Sequence, residues 1–344
     1  MISLLLINFR SAALTAEAVR TAREGTSAPL QVVIVDNSCD PGEANALRDL
    51  GEVLIVSGSN RGYAGGINDG RRACRGETII VSNPDVTFAA KALDLLAGAL
   101  GPSVAVAGPA LFWDDAHQWR LPPGDLMTAP EKLDAILAAR SEAWRAQRDR
   151  RRFRQRVAFW SLARTTPVRM LSGAVMAIRS ADFDEMGGFD ERFALYFEEN
   201  DFLRRVAARR KGIVYVPAAH CRHLYNQSAA QEGAAAAVRY AESQRKYLAK
   251  WNGPWLAGIL ERMERPPHRA DLPSLQGAIA PGGSSVVVEV SPLATFATAA
   301  GLMSASSAVE LPAEVRASAG GTPLYARVVE RDTARVLAMY KITS

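Results

Sequence analysis

Three cysteines, Cys39, Cys74 and Cys221, are all that the 344 residues contain, odd in number, widely separated and free of any C-x-x-C spacing. This scarcity excludes a disulfide framework and a zinc knuckle, and it fits a reducing cytoplasm. No hydrophobic run reaches membrane-spanning length. Met1 leads straight into ISLLLINF, too short to cross a bilayer and without a basic region ahead of it, so a buried strand is expected there and not a signal peptide. The G-x-G-x-x-G spacing of a dinucleotide fingerprint does not occur, nor does a convincing nucleophile motif. Composition of the disordered kind is absent on any large scale. With 48% hydrophobic residues, the chain can core one large domain and a small one.

What the chain does have is acid in three telling places: VIVDNS, VSNPDV and FALYFEENDFLRRV. In the last of these, Glu198, Glu199 and Asp201 crowd three carboxylates together; mutual repulsion raises at least one pKa and suits a proton acceptor. The plainer alternative is the acidic first turn of a helix that continues through Phe202, Leu203 and Val206. Upstream, ISLLLINF, LQVVIVDN, EVLIVSG and ETIIVSNPD read as strands and TAEAVRTAR as a helix between the first two, which predicts right-handed crossovers and a mostly parallel sheet. Ligands of such sheets collect beyond the carboxyl ends of the strands. Asn8, Asp36 and Asp85 all fall at or just past those ends, so one shared pocket is expected.

Between a strand and a helix, SNRGYAGGINDG places Gly62, Gly65, Gly66 and Asn68. These glycines either shape a turn and a close helix contact or let the backbone approach a nucleotide diphosphate. In NPDV, Pro84 fixes the backbone ahead of Asp85, as in a plain turn or in a site that meets a divalent cation. AHCRH offers two histidines, His220 and His223. A zinc site built on them and Cys221 lacks a fourth ligand.

The net charge is +5, and its arginines concentrate in RSEAWRAQRDRRRFRQR from Arg140 to Arg156, interleaved with Trp144 and Phe153. Such a stretch serves as a solvated helix, or meets an anionic membrane surface or a lipid-linked phosphate. Nucleic acid is not expected as a partner, since no DNA or RNA module surrounds the patch. After Trp251 the pattern changes. RMERPPHRADLPS reads as a linker, and GSSVVVEVSP, TFATAAGL, PLYARVVE and RVLAMYKI alternate as short strands. Residues 1–262 are therefore expected as one domain, 263–271 as a linker and 272–344 as a small antiparallel β module, serving in oligomerisation, acceptor binding, partner docking or as a cover for the sheet edge.

The ordered set LLINFRS, VVIVDNSCD, NRGYAGGINDG, VSNPDV, MLSGAVMAIRSADFDEMGGFDERFALYFEENDFLRRV, VPAAHCRHLYNQS and ESQRKYLAKW, over roughly residues 1–250, resembles the inverting GT-A glycosyltransferases of family two, in particular the rhamnosyltransferase-like branch. The resemblance implies an α/β, Rossmann-like GT-A fold with a mostly parallel, helix-flanked sheet, and it does not reach the C-terminal β-rich module. It implies that Asp36 pairs with the pyrimidine of the donor and that Asp85 and His223 hold Mg²⁺ or Mn²⁺. Donor contacts are carried onto Asn8, Asp36, Asn60, Gly62, Gly66, Asn68, Asp85 and Gly173. The catalytic base falls on Glu199, where the family pattern has Asp, with Asp201 beside it to orient the acceptor or tune the base. The implied activity is transfer of one sugar, from dTDP-rhamnose or a UDP-sugar, to a hydroxyl of a glycan, lipid-linked or glycoprotein acceptor in polysaccharide biosynthesis. A cytoplasmic place, peripheral at the inner membrane face, and a homo-oligomer belong to the same expectation. The alternative is a non-catalytic module of this fold that binds a nucleotide sugar or glycan as a scaffold.

Overall fold

All seven residues of β1 (Ile2–Asn8) are buried, which a strand achieves only when both faces of its sheet are covered. The computed structural model describes residues 1–193, 195–224, 234–265, 272–283, 285–303 and 307–343, with the side chains of 234–236 left aside. Most of the expected linker and residues 225–228 of the VPAAHCRHLYNQS motif lie outside the described residues. β1 pairs in parallel with β2 (Leu30–Asp36) and β4 (Thr78–Ser82), and β2 pairs in parallel with β3 (Val53–Val56). Because side chains alternate along a strand, Leu4, Leu6, Val32 and Ile34 face α1 (Ala12–Gly25) and α2 (Pro41–Leu47) through Ala18, Val19 and Leu47. Leu5, Ile7, Val33 and Val35 face α3 (Gly62–Arg71) through Ala64 and Ile67.

The glycine run does not form a loop between strand and helix; it opens and fills α3 itself. A Cβ on Gly70 would stand 2.2 Å from Leu5 Cδ1, and one on Gly66 3.0 Å from Ile7 Cγ2, so these glycines let the helix lie against the sheet.

Beyond β4 the chain forms β5 (Val86–Phe88), α4 (Ala92–Gly98), β6 (Val104–Phe112) and β7 (Trp119–Arg120). Next come α5 (Ala129–Arg140), α6 (Glu142–Trp160), β8 (Thr166–Pro167), β9 (Val175–Arg179) and α7 (Ser180–Glu185). α8 (Glu198–Ala208), β10 (Gly212–His223), α9 (Ala234–Asn252) and α10 (Pro254–Arg262) follow. β9 inserts antiparallel between β4 and β6, and β10 runs parallel to β6 while its end pairs antiparallel with β5. The result is the mixed α/β architecture expected, with a large, mostly parallel sheet and helices on both faces. No helix among the described residues is long and apolar enough to cross a membrane.

The C-terminal strands are β11 (Ser274–Leu275), β12 (Val286–Ser291), β13 (Ala300–Met303), β14 (Leu324–Glu330) and β15 (Val336–Ile342), with α11 (Ala313–Ser318) after β13. β13, β12, β14 and β15 pair antiparallel in that order, and β13 also pairs with β7 through Gly301↔Arg120 and Leu302↔Trp119. These strands therefore continue the same sheet, fifteen strands among the described residues.

The basic helix fastens them there. On α6, Phe153 and Trp160 pack with Val287 and Val329. Arg156 Nε donates to Glu289 Oε1 at 2.7 Å, Arg327 Nε donates to Glu289 Oε2 at 2.6 Å, and Arg327 Nη1 donates to Asp149 Oδ2 at 2.6 Å. Arg148 and Arg151 both engage Asp134 of α5, at 2.7 and 2.6 Å, while Arg154 donates to the Thr333 carbonyl. Phe153 and Arg156 of the basic stretch thus serve to dock the C-terminal strands, while Trp144 is exposed and donates to Asp134 of α5.

Glu289 is fully buried between two guanidinium groups that are nearly as buried. Removing one partner of a buried pair leaves an uncompensated charge, so Glu289→Leu should cost about 3–5 kcal/mol of stability. Adding Arg156→Met and Arg327→Met should recover much of that loss, since an apolar triad no longer strands a charge. Urea denaturation of the single and triple variants checks this, and a triple variant weaker than the single would overturn it.

Candidate active site

At the carboxyl ends of β1 and β2, Asn8 and Asp36 are register neighbours, and Asn8 Nδ2 donates to Asp36 Oδ1 at 2.9 Å. Ser38 adds its backbone N–H to Oδ1 (3.0 Å) and its hydroxyl to Oδ2 (2.9 Å), so the fully buried Asp36 is held by three donors. Asn60 Oδ1 accepts from the Gly62 N–H at 2.8 Å and closes the turn into α3. Asn68 bonds both the N–H and the carbonyl of Phe189, at 2.9 Å each, and so pins the turn ahead of α8. Asn60, Gly66 and Asn68 therefore all have structural work within the fold.

Asp85 and His223 meet because β5 and β10 pair with Val86 opposite His223, and the Leu224 N–H donates to the Asp85 carbonyl at 3.1 Å. Their side chains converge with Nε2 3.3 Å from Oδ1. His220 lies elsewhere: a register shift between Val216 and His220 re-aims the strand, and the ring packs against Phe112 and His117, with centroids at 4.9 and 5.5 Å. Cys221, between His220 and His223 in the chain, is fully buried in β10, and that burial pushes its thiol up. Among the described residues no group of three or more His, Cys, Asp or Glu side chains converges as a metal cage.

A cavity of about 260 Å³ opens beside this point, and Glu199, Asn200, His223 and Gly173 contribute to its wall along with Tyr196 and Tyr240. Glu198 and Glu199 stand at the start of α8, ahead of the buried Phe202, Leu203 and Val206. Tyr196 and Phe197 enter the helix in the left-handed region, φ 68° and 70°, a conformation that costs non-glycine residues on the order of 1 kcal/mol each. Phe197 is held in it by Tyr240 and Tyr247, with ring centroids 5.1 and 5.3 Å away. At Gly173 a Cβ would stand 3.3 Å from Glu199 Cγ, so the glycine leaves this carboxylate its room. Tyr63 donates to the Gly173 carbonyl at 3.2 Å, and burial pushes its phenol well up, which keeps it protonated.

Burial raises the pKa of both glutamates, and the two are not equivalent. Glu198 is buried with Oε2 lacking a hydrogen-bond partner among the described residues, and repulsion from Glu199 pushes it further up. Glu199 is only half-buried and accepts from backbone N–H groups at the start of the helix and from the Asn200 amide at 3.4 Å, which offset part of the rise. Burial therefore favours the neutral form of Glu198 more strongly than that of Glu199.

Asp201 does not share the cavity. Its carboxylate is fully buried, with Oδ2 bonded to Arg205 at 2.8 Å and Oδ1 to Trp251 Nε1 at 2.9 Å and Lys250 at 2.5 Å. Arg205 continues to the carbonyls of Met186 and Gly188, so Asp201 ties α8 to the preceding turn and to α9. Sequence reasoning passed over Tyr63, Tyr196 and Asn200, though all three lie inside the quoted NRGYAGG and FALYFEEN motifs. Tyr240 and the cavity residues from the C-terminal strands had no motif to mark them.

Residues 2–245 match the sequence model of Glycosyltransferase like family 2. Among curated proteins, the N-acetylglucosaminyl-diphospho-decaprenol L-rhamnosyltransferases of two Mycobacterium tuberculosis strains, CDC 1551 / Oshkosh and ATCC 25618 / H37Rv, are each 26% identical over 250 residues, covering 67% of this chain and 78% of the relative. Among solved structures, a mannosyltransferase from Pyrobaculum calidifontis in complex with GDP-Man and Mn²⁺ superposes with a TM-score of 0.48 at 14% identity, over 76% of this chain and 73% of that one.

A carboxyl whose folded pKa is raised contributes stability that is full below its unfolded pKa and is lost as pH climbs through the folded value. Glu198→Gln copies the protonated form and removes this loss. The melting temperature of the variant minus that of the native chain should therefore grow from pH 5 to pH 8, read by calorimetry; an equal difference at both pH values would sink the preference of Glu198 for its neutral form.

Proposed function

The chain belongs to glycosyltransferase-like family 2 and is a glycosyltransferase, and from that premise we propose that it moves a single sugar with inversion from a nucleoside-diphosphate sugar to an acceptor hydroxyl, using Glu199 as the base. The observation that carries this reading is the place of Glu199: its carboxylate stands on the cavity wall, in room left by Gly173, held by the Asn200 amide and backbone N–H groups and by no cation among the described residues. Glu199 takes the proton of the acceptor hydroxyl as the acceptor oxygen bonds to the anomeric carbon and the bond from that carbon to the diphosphate breaks. Attack from the face away from the diphosphate inverts the centre and needs no covalent enzyme intermediate. A base whose pKa lies above the ordinary carboxylate range remains a competent proton acceptor near neutral pH. Asp201 acts as a positioning residue, fixing the pitch of α8 through Arg205 and Trp251.

Asp85 and His223 fit a divalent cation, Mg²⁺ or Mn²⁺. One carboxylate and one imidazole converging at 3.3 Å make an oxygen and nitrogen pair, which leaves the remaining coordination to donor phosphates and water. When bound, such a cation neutralises the leaving diphosphate. Asn8 and Ser38 orient Asp36, the residue the family pattern aligns with the donor base. The named relatives transfer L-rhamnose to N-acetylglucosaminyl-diphospho-decaprenol. By that similarity we assign a dTDP-rhamnose donor, with UDP-sugars second, and a lipid-diphosphate-linked N-acetylglucosamine acceptor met at a membrane surface.

Glu199→Gln should lower turnover by about 10²–10⁴ with little change in donor affinity, the signature of a lost proton acceptor. Near-native turnover in that variant would remove Glu199 from the role.

Asp85→Asn and His223→Ala should each abolish most transfer while leaving the melting temperature close to native. The native enzyme should stop in EDTA and recover on adding Mn²⁺ or Mg²⁺. Full activity in EDTA would overturn the cation assignment.

A further inference from the structure

The loop between β12 and β13, residues 292–299, reaches the cavity that holds Glu199, and it brings Ala297 and Thr298 onto the cavity wall. It is fixed from three directions. Phe296 is 1% exposed, takes a left-handed φ of 52° and lies under the Arg327 guanidinium at 4.4 Å. Arg152 donates to the Ala297 carbonyl at 3.2 Å and also engages Asp125, another cavity residue. Trp160 closes against Gly301 at the loop's far end and donates to the Leu121 carbonyl at 2.9 Å, which anchors the neighbouring wall of the cavity. A loop held by two arginines and a tryptophan is a built surface, not a fringe.

Thr298 gives that surface a purpose. Its hydroxyl is buried and has no hydrogen-bond partner among the described residues. Leaving a buried hydroxyl unpaired costs on the order of 1–3 kcal/mol, a cost that a bond to a ligand would offset. The same cavity has an aromatic wall in Tyr196 and Tyr240, whose rings meet at 5.5 Å. An aromatic surface together with a few placed polar groups suits a ligand with one apolar face and a rim of hydroxyls.

We propose that the 292–299 loop completes the acceptor subsite, the Thr298 side chain turning its covered, unpaired hydroxyl toward the cavity to bond a hydroxyl or amide of the acceptor's pyranose ring while the ring lies along Tyr196 and Tyr240. The C-terminal strands then select the acceptor, and α6 is the strut that holds them at the catalytic cavity. This rests on the reading of the cavity as the place where Glu199 meets an acceptor sugar.

The test uses the full chain carrying Thr298→Val, which removes only the hydroxyl, and Thr298→Ser, which keeps it. Binding of N-acetylglucosamine is followed by saturation-transfer NMR, which needs no turnover. Transfer from dTDP-rhamnose to an octyl N-acetylglucosaminyl diphosphate is measured alongside donor hydrolysis without acceptor. Thr298→Val should weaken sugar binding and raise the acceptor KM about tenfold, as one lost hydrogen bond does. Donor hydrolysis should stay native, and the melting temperature should hold or rise because an unpaired hydroxyl has gone. Thr298→Ser should bind close to native. Native binding or native acceptor KM in Thr298→Val, equal loss in both variants, or no sugar binding by the native chain would overturn the proposal. If sugar binding depends on the Thr298 hydroxyl but the native chain neither transfers to this acceptor nor hydrolyses the donor, the subsite stands and the donor and acceptor assignment falls.

Discussion

Burial of β1 on both faces is the constraint from which the rest of the architecture follows. A strand covered on both sides must be apolar throughout, and its partners β2 and β4 must run parallel so that α1 and α3 can cross over and cover it. Parallel strands end on the same edge of the sheet. Asn8, Asp36 and Asp85 are consequently gathered at one edge without any contact among them having to arrange it, and the polar groups the core cannot tolerate emerge where a ligand can use them. The antiparallel β5·β10 pairing then returns His223 to the same edge.

The second constraint is electrostatic. Glu289 sits on a strand that would otherwise be an apolar wall, and it is stable there only because Arg156 and Arg327 close on it from two sides while Asp149 balances the surplus positive charge. An ionic cluster of this kind is a poor source of net stability compared with apolar packing, but it is demanding in geometry. It admits one arrangement of α6 against β12 and β14. That arrangement carries Arg152 to the Ala297 carbonyl and sets Arg327 over Phe296, so the position of the cavity loop is inherited from the cluster.

The parts legible in the sequence are those fixed by local pattern. β1, β2 and β4 announce themselves as short apolar runs because burial on both faces leaves no alternation to confuse with a helix, and β3 is as apolar although it lies half-buried at the sheet edge. The acidic start of α8 was equally readable, since helical dipole and carboxylate crowding both predict it. Other features depend on partners far along the chain. The antiparallel insertion of β9 is decided by its neighbours β4 and β6, and nothing in VMAIR marks its direction. Two residues, Trp119 and Arg120, make the strand that joins the C-terminal strands to β6, too few to carry a period. The aromatics of α6 signalled a buried face but not what buries it. His220 and His223 were separable only by family register until the shift in β10 and the Phe112 and His117 rings showed where each goes.

The division of labour within α8 shows how far spacing alone reaches. Residues two apart on a helix point about 200° apart, so Glu199 and Asp201 could never serve the same face. Spacing does not say which faces the cavity, and the helix dipole favours both carboxylates alike. What decides is the next turn: Arg205, four residues after Asp201, draws that carboxylate into an ion pair, and Trp251 and Lys250 complete its enclosure. Four residues beyond Glu199 stands Leu203, which is fully buried and offers no charge. Glu199 is thus left with backbone donors and the Asn200 amide, the set that keeps a carboxylate ionisable without pairing it away. A base must be held without being neutralised, and Glu199, the base we propose, meets that condition where Asp201, paired with Arg205 one turn on, does not.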